Sequence, residues 1–196
     1  ILIGRFLEHQ EATGSKAAGG GAQVYVAPLR PLNVEANQGR SVSGAAVLVL
    51  SDGRLTVHVT AENLAPDMMH RQMIHVGAQC PTQGADENTD GVVDVLEGVP
   101  SYGLVLVPLD TDLGASAEGR YPRADGQGRV RYSQSVSMER LKAVVTGDDP
   151  NPDDPIVTLD SAESFSLEGT TVVLHGVAAD LELPGSVRGV AGVEPH

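Results

Sequence analysis

The stretch SGAAVLVLSDGRLTVHVTAENL, residues 43–64, decides the fold class. Two apolar-rich runs flank Asp52-Gly53. An Asp-Gly pair between alternating runs is a strong short-range hairpin signal, because both central residues of the tight turn need positive φ. In the second run Leu55, Val57 and Val59 share one face while Thr56, His58 and Thr60 share the other, since side chains alternate along a strand. His58 therefore reads as a solvent-face residue.

The same reading extends outward. AQVYVAPL (22–29), MIHVG (73–77), YGLVLVPL (102–109), GRVRYSQSVS (128–137) and TTVVLHGV (170–177) all read as strands, rich in the β-branched residues that suit a pleated surface. Twenty-three Gly and 12 Pro punctuate the 196 residues, which fits short strands joined by turns in a sandwich or barrel. Hydrophobic residues make up 41% of the chain but aromatics only 3%, so the core is built from Val, Leu and Ala. SMERLKAVV (137–145) has helical spacing, with Leu141, Val144 and Val145 on one side. DDPNPDDP (148–155) alternates carboxylates with prolines and reads as a solvated loop. Residues 1–22 are a short amphipathic piece followed by a Gly-rich linker, expected to be mobile or loosely docked. The expected organisation is thus an extension over 1–22 and one β domain over 23–196.

Composition excludes some functions. Twenty-six acidic residues against 13 basic ones give a net charge of −13, which argues against nucleic acid and against an anionic membrane surface. No run approaches the roughly 18 apolar residues of a membrane span. Cys80 is the one cysteine, so no intrachain disulfide forms. A chain that opens ILIGRFLEH without Met points to removal of an upstream segment, by signal-peptide cleavage or by trimming, and the expected location is secreted or periplasmic.

The most specific motif is Asp86-Glu-Asn88-Thr-Asp90-Gly91-Val92-Val-Asp94-Val-Leu-Glu97. It matches the twelve-residue EF-hand loop at every ligand position. Side-chain oxygens stand at positions 1, 3 and 5, and Gly91 occupies the sharp turn at position 6. Val92 offers its carbonyl, Asp94 stands at position 9 and Glu97 closes the loop. The spacing wraps the six to eight hard oxygens that Ca²⁺ requires around one point. Neither flank, CPTQGA or GVPSYG, reads as able to form the paired helices of an EF-hand. The ion is therefore expected to be structural.

A second set of residues carries a resemblance. His70-Arg-Gln-Met73-Ile-His75 follows GRLTVHVTAENLAPDM, and Val172-Val173-Leu174-His175 precedes Ala179-Asp180-Leu181. In this order, over roughly residues 40–190, the chain resembles copper/zinc superoxide dismutase and the related CHRD-type domains. The resemblance implies a Greek-key β-sandwich and carries His75 and His175 over as copper ligands. Met73 stands where the family has another copper histidine, and His70 matches the histidine that supports the site without binding metal. Two imidazoles and a thioether suit copper, the soft sulfur favouring Cu(I). The same residues also fit a structural reading, with Met73 filling the core and the histidines making hydrogen bonds. Met69 and Cys80 are further soft ligands within reach in sequence. Arg188 is similar in position to the family's anion-guiding arginine.

The departures from the family bear on activity. No histidine occurs between 76 and 174, where the dismutase carries its zinc loop and bridging histidine, and Ala179 replaces a carboxylate linking the two metals. The expected function is metal binding without superoxide dismutation. The alternatives are a calcium-stabilised extracellular binding or matrix module without copper, and a mononuclear copper redox enzyme. No nucleophile elbow or phosphate loop appears, and the sequence names no protein partner.

Overall fold

The computed structural model describes residues 2–8, 21–34, 41–115, 119–147, 159–161, 164–176 and 183–188. The hairpin forms as the sequence requires. β4 (Ser43–Ser51) and β5 (Arg54–Glu62) pair from Ser43↔Glu62 to Ser51↔Arg54. Asp52 and Gly53 make the turn at φ 51° and 70°. Leu55, Val57 and Val59 point inward with no exposed surface, while Thr56, His58 and Thr60 lie on the outer face.

Strands accrete on both sides of the hairpin. β3 (Gln23–Pro31) pairs with β4, and β8 (Val130–Ser137) pairs with β5. The other half contains β6 (Gln72–His75), β7 (Val105–Pro108) and β9 (Thr171–Leu174), with β6 lying between the other two. β1 (Leu2–Arg5) joins the halves, pairing with β3 on one side and β9 on the other. The result is one curled, antiparallel, nine-stranded sheet in the order β7-β6-β9-β1-β3-β4-β5-β8, with β2 (Leu7–Glu8) added along β3. The fold is all-β.

Curling brings the two inner faces together. Leu48, Leu55 and Val57 from the hairpin half share one apolar cluster with Ile74, Val172 and Leu174 from the other. Burying such side chains contributes roughly 1.5–3 kcal/mol each, which makes this contact the main source of stability. α2 (Met138–Thr146) follows β8 directly. The Ser137 side chain accepts a hydrogen bond from the Arg140 N–H to cap it, and Leu141 and Val145 are buried beneath it while Val144 is half-buried.

Two expectations need correction. The start of the chain is not loosely docked, because Leu2–Arg5 is a central strand and Leu2 and Phe6 lie in the core. The edges of β3 and β9 would otherwise present unpaired N–H and C=O groups inside the protein, and β1 satisfies both. Leu2–Arg5 and Leu7–Glu8 thus belong to the sheet, while residues 9–20 of the expected linker lie outside the described residues, as does DDPNPDDP. The acidic loop, second, is followed by a helix. α1 (Val95–Tyr102) forms despite Pro100, started by a reciprocal capping box between Asp94 and Glu97. Gly98 lets the Tyr102 ring lie back along the helix, since a Cβ there would collide with the ring, and the Tyr102 hydroxyl donates to the Val95 carbonyl at 2.8 Å.

Candidate functional site

The outer face of β6-β9-β1 carries the side chains that the inner core leaves out. Alternation puts Arg71, Met73 and His75 of one strand on this face, and register aligns Met73 with Val173 and His75 with Thr171. The His175 N–H donates to the Arg71 carbonyl at 2.7 Å, so His175 continues the neighbouring strand one level beyond Met73. Met73 thus stands between the two histidines along a single face.

The segment between β6 and β7 folds back over that face. Val93 and Tyr102 form a second apolar cluster with Ile3, Leu32 and Val173, and Cys80 packs against it. The Tyr102 ring meets His75 edge-on, with centroids 4.7 Å apart. His75 Nδ1 lies 3.0 Å from the Gly103 carbonyl, which fixes Nδ1 as the protonated nitrogen and leaves Nε2 a lone pair. Among the described residues Nε2 has no hydrogen-bond partner, and neither has His175 Nδ1 or Thr171 Oγ1. Burial pushes the His75 pKa down to about 4 against the pull of the Gly103 and Leu104 carbonyls. Burial also takes His175 down to about 3, with the charges of His75 and Arg71 acting in the same direction. Both imidazoles are neutral at pH 7, the form that ligates a metal.

His70 has a different position. Its Nδ1 is 3.0 Å from the His175 carbonyl and its Nε2 3.1 Å from the Ala65 carbonyl, so both nitrogens are engaged by backbone. Gly176 allows this approach, because a Cβ would strike the imidazole. Met69 is 53% exposed and bridges to Arg123 away from the covered face. Burial raises the Cys80 pKa while Arg5 draws it back.

The acidic loop is organised by its own carboxylates. Asp86 Oδ1 accepts from the Asp90 N–H at 3.1 Å, and Oδ2 accepts from the Gly91 N–H at 2.8 Å. Gly91 sits at φ 89°, a conformation that side chains disfavour. Asn88 Oδ1 accepts from Asp90 N–H and Asp90 Oδ1 from Val92 N–H, both at 2.9 Å. Glu97 closes the ring: Oε1 accepts from the Glu87 and Asn88 N–H groups, and Oε2 from that of Asp94. Asp94 and Glu97 are both buried. Among the described residues no three His, Cys, Asp or Glu side chains are already gathered as a metal cluster.

Three residues that sequence reasoning missed, or placed elsewhere, hold this loop. Asn33, just past β3, accepts from the Val93 N–H at 2.9 Å and donates to its carbonyl at 3.0 Å. The side-chain amide acts as a neighbouring strand would, and nothing local in the sequence marks it. Ser186 donates to Asp90 Oδ2, which holds the Asp90 carboxyl below its usual pKa. Arg188 lies beside the loop: its N–H donates to Asp94 Oδ2 at 2.8 Å, with Nε 3.6 Å from the same oxygen. Its contact is with a carboxylate of the loop and not with the histidine face. Ala179, Asp180 and Leu181 lie outside the described residues.

In comparisons with known proteins, no protein-family model and no curated protein matches the chain.

Proposed function

We propose that this chain is a calcium-stabilised metal-binding module, with Ca²⁺ held by Asp86, Asn88, Asp90, the Val92 carbonyl, Asp94 and Glu97. The observation that carries the reading is the loop's backbone, whose N–H groups at successive positions point at the Asp86, Asn88, Asp90 and Glu97 carboxylate or amide oxygens. Those bonds fold the loop before an ion arrives and leave lone pairs on the same oxygens. The ion's role is structural, because the loop covers the outer face of the sheet. A ligand bound only by the native state adds RT ln(1 + [L]/Kd), about 2.7 kcal/mol at a hundredfold excess. Secreted or periplasmic surroundings would supply such an excess. Chelation should lower the melting temperature and calcium should restore it, and Glu97→Gln should remove the response. An unchanged melting temperature in both experiments sinks the reading.

A second reading adds copper at Met73, His75 and His175, on a dismutase-like Greek-key sandwich. It is favoured by two buried imidazoles with unpartnered nitrogens on the face where Met73 lies between them. Neutral imidazoles and a thioether fit Cu(I), for which the sulfur supplies selectivity over zinc. Superoxide dismutation is not part of the reading, since no histidine between 76 and 174 is available to bridge a second metal. Competition titrations of Cu(I) and Cu(II) test it. Met73→His should shift preference toward Cu(II), and affinities unchanged in both His75→Ala and His175→Ala would leave calcium as the sole metal.

A further inference from the structure

A cleft of about 410 Å³ opens between β1, β3 and residues 80–83. Its charge is opposite to that of the protein. Arg5 and Arg30 line it, and among the described residues no Asp or Glu does, although the chain carries 26 acidic residues. Register places the two arginines on one face of the sheet. Ile3 pairs with Arg30, and Arg5 lies two residues beyond Ile3 on the same face. Diagonal neighbours of this kind are about 7–8 Å apart, within reach of long side chains. Neither guanidinium forms an ion pair with a described residue.

The remaining lining is largely apolar, with Thr82 and Gln83 as its polar side chains. Ile3, Leu32, Pro28, Pro31 and Pro81 line the cleft, and Cys80 lines it from the loop side. Fixed proline backbones keep such a cleft open without a ligand. We propose that the cleft binds a small organic anion, its carboxylate or phosphate head between Arg5 and Arg30 and its apolar body on Ile3 and Leu32. Guanidinium groups recognise either head through paired N–H donors. The volume suits a small molecule. This site is separate from the calcium loop and does not rest on its assignment.

Cys80 is the chain's one cysteine and sits in the cleft, so its alkylation rate reports on the site. The Arg pair should raise the ratio of iodoacetate to iodoacetamide reactivity on the order of threefold above that of a free thiol, by drawing the anionic reagent in. Arg5→Gln and Arg30→Gln should each lower the ratio toward the free-thiol value, whereas Arg54→Gln, on the distant hairpin, should not. Hexyl phosphate or hexanoate should protect Cys80 at concentrations on the order of tenfold below those needed for hexanol, a difference of about 1.4 kcal/mol. The stronger protector of the two identifies the head group. A wild-type ratio equal to that of the free thiol, or protection by hexanol as strong as by the anions, overturns the proposal, and neither result depends on a variant folding.

Discussion

The acidic loop and the histidine–methionine face lie on either side of one contact, the edge of Tyr102 against His75, and they are built in opposite ways. In the loop the oxygens of the proposed calcium site come from twelve consecutive residues, and the carboxylates accept from N–H groups a few positions away. On the face the two histidines stand a hundred residues apart in sequence, and among the described residues His75 Nε2 and His175 Nδ1 have no partner. A contiguous site organises itself through local hydrogen bonds. A site made by strand pairing inherits whatever the register leaves buried, including unsatisfied polar atoms that lower stability unless a ligand or water engages them.

The contact joining the two regions should show the largest effect when broken. Tyr102→Ala removes a fully buried ring, its edge contact with His75 and its hydrogen bond to Val95. Aromatic-to-Ala changes in cores cost about 3–5 kcal/mol, so urea denaturation at fixed calcium should show a loss in that range. A loss below about 1 kcal/mol would mean that the loop rests on the face without depending on it.

Acid should act on the face before it acts on the loop. His75 and His175 titrate near 4 and 3 in the folded protein and near 6.5 when unfolded. Between those values the unfolded chain binds more protons, so stability rises with pH and is lost as pH falls through the window. At pH 7 both states are neutral at these groups and nothing is lost. At pH 5 each histidine should have removed about 2 kcal/mol. Urea midpoints measured between pH 7 and 5 test this, and a flat profile would show that the imidazoles are not buried in solution.

Asn33 tests how self-contained the loop is. Asn33→Ala leaves the N–H and carbonyl of Val93 unpaired, and Val93 has no exposed surface. An unsatisfied buried group costs about 1–3 kcal/mol, so the variant should lose roughly 2 kcal/mol and bind calcium more weakly. Unchanged calcium affinity with lowered stability would assign Asn33 to the fold alone. Ser186→Ala should be the mildest change, within about 0.5 kcal/mol, because its bond to Asp90 is exposed. A larger loss would make the 183–188 segment part of the loop's support.

Much of this comparison is legible in the chain. The hairpin at 43–62, strands β6 and β9, the helix after Ser137 and the hydrogen-bonded turn of the acidic loop follow from signals a few residues long: period-two alternation, an Asp-Gly turn, a capping serine and carboxylate spacing. α1 was hidden because Gly98 and Pro100 read as helix breakers, while the signal that starts it, Asp94 three residues before Glu97, coincided with the ligand pattern. The copper-ligand resemblance identified residues on one face without giving their partners, since an unpaired nitrogen depends on what covers it.

What only the tertiary structure decided are the long-range closures. LIGR (2–5) is too short to declare its conformation, and it becomes a strand because β3 and β9 leave a gap of unpaired backbone between them. Asn33 meets Val93 and Arg188 meets Asp94 because the 76–104 segment folds over the sheet, and Arg5 shares a face with Arg30 because β1 pairs with β3. Local sequence sets φ, ψ and which face a side chain takes. Which edges meet is set by hydrogen-bond satisfaction and apolar burial summed over the whole chain, and no stretch of sequence holds that information by itself.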